Sequence, residues 1–271
     1  MRHERVALAA VLAGTLLLVL GGCSRLTFVK PNMSKRDYTQ VAPDYQVRDD
    51  KTAKQRLMAS ERMALAQQSF NNGDYAQAQE EANKVLKYND KSADAYTVLA
   101  LVADRQGRMK EAGQLFRKAA DVAPTQGTVL NNYGAWLCSN GQEAEGLVWI
   151  DRALNDPSYP TPAAALANAG GCARKAGQYE RAERDLKSAL QLEPDNAYAL
   201  AEMAESEYRK GRFFEARAFS ERRLGAAPAD QRSLELAALI EDKLGDVNAA
   251  NRYRQRLRTE FPGAAAANSG N

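Results

Sequence analysis

Apolar positions along the chain fall into three regimes. Residues 6–20 are an unbroken run of Ala, Val, Leu and Gly with one Thr. Residues 24–58 scatter apolar and charged side chains without period around Pro31 and Pro43. From residue 59 onward, apolar residues return every three or four positions, the spacing of helices with one buried face. Within 93–106 these are Tyr96, Leu99, Ala100 and Ala103; within 110–122 they are Ala112, Leu115, Phe116 and Ala119. Gly107 between the two supplies the left-handed backbone that ends a helix, and Pro124 stops the second one. The predicted unit is a pair of antiparallel helices joined by a tight turn.

That unit recurs. Gly73, Gly107, Gly141, Gly177, Gly211 and Gly245 are spaced by 34, 34, 36, 34 and 34 residues. Five positions after each glycine stands a small residue: Ala78, Ala112, Gly146, Ala182, Ala216 or Ala250. Seventeen positions after it comes Asp90, Pro124, Ser158, Pro194, Pro228 or Pro262. A unit of this length and punctuation resembles the tetratricopeptide repeat. Six repeats are assigned, at 59–92, 93–126, 127–162, 163–196, 197–230 and 231–264. The resemblance implies an all-α, right-handed superhelical solenoid of about twelve antiparallel helices, in which each pair buries its apolar face only by stacking on its neighbours. The last repeat ends in a polar helix in which Arg254 replaces an apolar residue; it reads either as a solvated cap or as a basic binding patch. Residues 265–271 read as a frayed tail.

The N-terminal regimes add an address. A basic start (Arg2, Arg5), an apolar stretch shorter than the roughly 20 residues that span a bilayer, and the small pair Gly21-Gly22 make a secretory signal over 1–22. Leu20-Gly21-Gly22-Cys23 resembles the lipobox of bacterial lipoproteins, which implies fatty acylation at Cys23, cleavage before it, and anchorage through acyl chains. With Ser24 rather than Asp after the cysteine, that family implies sorting to the outer membrane, facing the periplasm. Residues 23–58 then read as the lipidated N-terminus and a tether.

Charge and chemistry narrow the function classes. Lys and Arg number 37 against 34 Asp and Glu, with both signs intermixed, too balanced for a nucleic-acid binder working by charge alone. The one histidine, His3, lies in the predicted leader, so the mature chain has no Ser–His–Asp triad, Cys–His pair or His-ligated zinc site. With no phosphate-cradling loop or framed carboxylate pair either, no enzyme, catalytic residue, metal or cofactor is expected.

Cys138 and Cys172 stand at the twelfth and tenth places of repeats three and four, on first helices that stack side by side. Facing residues on packed helices have Cα atoms roughly 4–6 Å apart, inside the disulfide window. A Cys138–Cys172 bond is predicted, with two buried thiols as the alternative. Between these repeats lie two extra residues within Asp156-Pro157-Ser158-Tyr159-Pro160-Thr161-Pro162. The prolines cannot continue a helix, so this reads as a stiff, protruding connection, either a spacer or a contact loop carrying Tyr159.

The runs Leu130-Asn131-Asn132-Tyr133-Gly134-Ala135-Trp136-Leu137-Cys138 and Asn168-Ala169-Gly170-Gly171-Cys172, the Tyr159-Pro160 insertion, the lipobox and the six repeats together resemble the type IV pilus biogenesis and stability lipoproteins, the pilotins called PilW or PilF. The resemblance implies a non-enzymatic outer-membrane adaptor that helps the pilus secretin insert and multimerise. The alternative is a scaffold for another envelope machine, in outer-membrane protein assembly or in regulating peptidoglycan synthesis. A monomer is expected.

A partner of this repeat class binds the concave surface lined by the first helices. Met63, Phe70 and Leu101 suggest an apolar stripe there, either internal packing or a groove for a secretin helix or strand. Asn131 and Asn132 are further candidates, with side chains able to bond a partner's or a loop's backbone. Of the residues that clamp a free C-terminal carboxylate in chaperone-binding repeats, Asn132 alone matches, so that mode is not expected.

Overall fold

The structure, a computed structural model, describes residues 51–262. The leader at 1–22, Cys23, most of the predicted tether and the tail at 265–271 lie outside the described residues. Twelve α-helices and no strands occur among the described residues. They pair as α1 (Lys51–Asn71) with α2 (Tyr75–Tyr88), α3 (Ala93–Arg105) with α4 (Met109–Val122), α5 (Gly127–Ser139) with α6 (Glu143–Leu154), α7 (Pro162–Lys175) with α8 (Tyr179–Leu192), α9 (Ala197–Arg209) with α10 (Phe213–Ala226), and α11 (Gln231–Leu244) with α12 (Val247–Glu260). The spans expected at 93–106 and 110–122 are α3 and α4. Odd-numbered helices are the first members of their repeats, even-numbered helices the second.

All six turn glycines adopt the left-handed conformation, with φ between 74° and 79°. At Gly107 this lets Arg108 N–H reach back to Ala103 O (2.8 Å) and Gly107 N–H to Asp104 O (2.9 Å), satisfying carbonyls that the end of α3 would otherwise leave open. Polar caps start several helices. Ser92, Asn196 and Asp230 accept from the backbone N–H three residues on, and Asp230 forms a reciprocal capping box with Ser233.

The small residues five places after the turn glycines lie fully inside the pairs. Ala78, Ala112, Ala216 and Ala250 are completely buried. At α5–α6 the approach is close: a Cβ on Gly134 would sit 2.7 Å from the Gly146 carbonyl oxygen. Between pairs, side chains on successive odd helices bond across the seams. Trp136 Nε1 donates to Asp104 Oδ1 (3.0 Å), Asn168 Nδ2 to Asn131 Oδ1 (3.1 Å) and Arg174 Nε to Glu202 Oε2 (2.6 Å). The core is a chain of apolar clusters centred on Phe116, Leu137, Ile150, Leu186 and Ile240; each such side chain contributes about 1.5–3 kcal/mol when fully buried.

Two expectations meet a different outcome or a sharper one. α1 starts eight residues before 59, so 51–58, read as the end of the tether, are helical. Ala53, Lys54, Gln55, Arg56, Leu57 and Met58 are strong helix formers uninterrupted by Pro or Gly. Residues 53–57 are exposed, so no buried stripe marked this turn. In α12, by contrast, Ala249 and Ala250 are the buried residues and Arg254 pairs with Asp242 while Arg256 pairs with Glu260. This is the geometry of a solvated cap.

Candidate functional site

The odd helices expose a row of side chains between the first and third repeats. α1 contributes Ser60, Met63, Ala64 and Gln67; α3 contributes Asp94, Thr97 and Leu101; α5 contributes Thr128 and Asn132. They line an open groove of about 610 Å³. Met63, Ala64 and Leu101 give it an apolar floor. Thr97 spends its hydroxyl on Ala93 O (2.9 Å) and so offers its methyl group. Asp94 accepts from Gln126 Nε2 (3.2 Å), leaving Asn132 as the amide at the far end of the groove. A shallow apolar trough with polar rims takes side chains from a helix or strand laid along it.

The sequence candidates divide on this geometry. Met63, Leu101 and Asn132 line the groove. Phe70 does not: half-buried at the end of α1, it tilts against Tyr75 with ring centroids 5.7 Å apart and closes the first helix pair. Asn131 is buried and accepts from Asn168, tying α5 to α7 instead of facing solvent.

Tyr159 is directed inward, correcting the protruding contact expected of it. It is 8% exposed and packs with Cys138, Ile150 and Cys172. The reason lies 32 residues upstream: a Cβ on Gly127 would come within 2.8 Å of the Tyr159 Cβ and within 2.7 Å of its Cγ. The first place of repeats one, two, four and five holds Ala59, Ala93, Ala163 and Ala197. Glycine in that place of repeat three makes room for the ring. Asp156 completes the fold-back. Its carboxylate accepts from Gly127 N–H (2.8 Å) and from both Ser158 N–H (2.9 Å) and Ser158 Oγ (2.7 Å). These bonds, the Ser158 hydroxyl foremost, hold it below the usual Asp range. Neither Asp156 nor Gly127 was singled out from sequence; the Gly at a place that four of the other five repeats fill with Ala was the available signal.

Cys138 and Cys172 are joined in the structure, with Cα atoms 5.6 Å apart, beneath the folded-back loop. Next to them, Trp136 lies over Gly113 and stacks beside Tyr133, whose ring meets Trp149 at 5.0 Å. Among the described residues, no group of three His, Cys, Asp or Glu is placed to hold a metal, and no helix is long and apolar enough to cross a membrane.

Comparison with known proteins follows the same lines. Models described as tetratricopeptide repeat match residues 63–126 and 173–240. A crystal structure of PilW, described as a widely conserved type IV pilus biogenesis factor, superposes with a TM-score of 0.67 at 30% identity, covering 75% of this chain and 94% of that one. The type IV pilus assembly protein PilF of Pseudomonas aeruginosa is 26% identical over 192 residues, 71% of this chain and 76% of PilF. A structure of P. aeruginosa PilF also has a TM-score of 0.67, at 24% identity over 78% of this chain and 95% of that one.

Proposed function

Because this chain belongs to the tetratricopeptide-repeat family of type IV pilus biogenesis proteins that includes PilW and PilF, we propose that it is a lipid-anchored adaptor holding the pilus secretin at the outer membrane while rings assemble. The polypeptide catalyses nothing in this reading; it binds. Acylation at Cys23 tethers it to the inner leaflet of the outer membrane, where several acyl chains hold far more firmly than one. The groove between α1, α3 and α5 takes an apolar helix or strand of a secretin subunit. Confining subunits to one surface raises their effective concentration and favours multimers without further contacts.

The observation that carries this reading is the apolar-floored groove on an array that superposes with 94% of the PilW chain over 75% of this one. Deleting the gene tests it. The expected outcome is loss of heat-resistant secretin multimers and of surface pili at a normal level of secretin monomer; intact multimers would refute it. Within the groove, Leu101→Glu should abolish secretin capture in a pull-down while the protein stays helical by circular dichroism, with a lowered Tm because Leu101 also packs against the core.

A further inference from the structure

A second concave site lies in the other half of the array, between α9, α10 and α11. Its volume is about 330 Å³, near the lower end of the roughly 300–1,000 Å³ range of small-ligand pockets and suited to one side chain, not to a helix. Tyr198, Ala201 and Leu236 supply apolar walls. At its base is Glu202, 1% exposed. Glu202 occupies the sixth place of its repeat, where the other five repeats carry Ala64, Val98, Asn132, Asn168 and Leu236. It is the charged member of that set, set among Ala201, Met203 and Ala204.

A carboxylate so deeply placed requires donors. One oxygen has a firm one: Arg174 Nε, from α7, reaches Oε2 at 2.6 Å. The other oxygen, Oε1, is approached by Arg232 Nη2 at 3.7 Å, beyond hydrogen-bond reach. The Arg232 side chain is 63% exposed. Arg223, Asp230 and Ser233 are engaged with one another or with nearby backbone, while the hydroxyls of Tyr198 and Ser220 remain as further polar lining. Arg223 donates to Asp230 Oδ2 (2.6 Å) and to the carbonyls of Ala227 and Pro228 (3.2 Å each). Ser233 Oγ exchanges hydrogen bonds with the Asp230 backbone. What the pocket offers a ligand is therefore the second oxygen of Glu202, open to the pocket, with two hydroxyls and an aromatic wall beside it. That is complementary to a cationic donor, which gains both a charge-assisted hydrogen bond and a contact with the Tyr198 face.

We propose that this pocket binds one lysine or arginine side chain from an extended segment of a partner protein, displacing Arg232, which stands over Glu202 as a loose intrachain substitute. The site is separate from the α1–α3–α5 groove and holds whether or not the client of that groove is a secretin.

Blocked pentapeptides of sequence Ala-Leu-X-Leu-Ala test it, with X as Lys, Glu or norleucine, titrated into the chain from Ser24 onward and followed by amide shifts. The lysine peptide should shift Tyr198, Glu202 and Leu236 and bind about tenfold or more tightly than the norleucine peptide, the scale of one charge-assisted bond. Arg232→Ala should tighten lysine-peptide binding about threefold or more by removing the competitor, with no change in Tm. Glu202→Gln, which keeps an acceptor for Arg174, should bring the lysine peptide down to the norleucine level. Preference for the glutamate peptide, weaker lysine binding in Arg232→Ala, or absence of shifts at these three residues would each overturn the proposal.

Discussion

Tyr159 and Gly127 show how a single missing methyl group redirects a loop. The three prolines made the insertion legible as a stiff connection, but the direction of its aromatic ring depended on a residue in another helix, so the sequence pattern left it pointing outward. Asp156 pins the same loop, and its ionisation links loop to pH. Its native carboxyl titrates below the unfolded value of about 3.9, so it stabilises the fold above that value and loses the effect as pH falls through the lower native one. Asp156→Ala should therefore lower Tm most near neutral pH, and the gap from wild type should close in strongly acidic buffer; melts by circular dichroism across that range check it. Asn131 teaches the converse lesson. Its neighbour Asn132 looks alike in sequence, yet one step along a helix turns the side chain by about 100°, from the groove into the seam with Asn168.

At the scale of helices, the turn glycines and the small residues five places later were readable because backbone conformation and close approach each admit few residue types. How tightly α5 and α6 meet was not, since that depends on both partners at once. The α5–α6 crossing carries glycine on both sides, and Gly134→Ala would press a methyl group against backbone and Ile150. A loss of about 1–3 kcal/mol is expected in urea denaturation. Gly225→Ala, near the end of α10 with nothing within 4 Å of the added carbon, should instead gain up to about 1 kcal/mol from helix propensity. Glu202 escaped the sequence reading for a related reason: its partner Arg174 lies 28 residues away, and 3.6-residue periodicity reports faces, not the ion pairs within them. The early start of α1 was hidden because an exposed helical turn leaves no apolar signature.

For the molecule as a whole, each helix pair touches little beyond its neighbours, so the array is only as cooperative as the seams between pairs. Among the described residues, Cys138 and Cys172 bridge the seam between repeats three and four. A non-reducing digest of protein from the periplasm should yield the Cys138 and Cys172 peptides linked, and Cys172→Ala should cost about 2–4 kcal/mol. Cys23→Ala should move the protein from the membrane fraction to the soluble one, with wild type retained in membranes. The cross-link also sets how the chain would answer tension. Pulled from its two ends, the oxidised molecule can peel its outer hairpins one after another, yet the 34-residue separation between the sulfurs stays shut. That withholds about 115 Å of extended length, so a stretched molecule would stop short with α6 and most of α7 still enclosed by the cross-link.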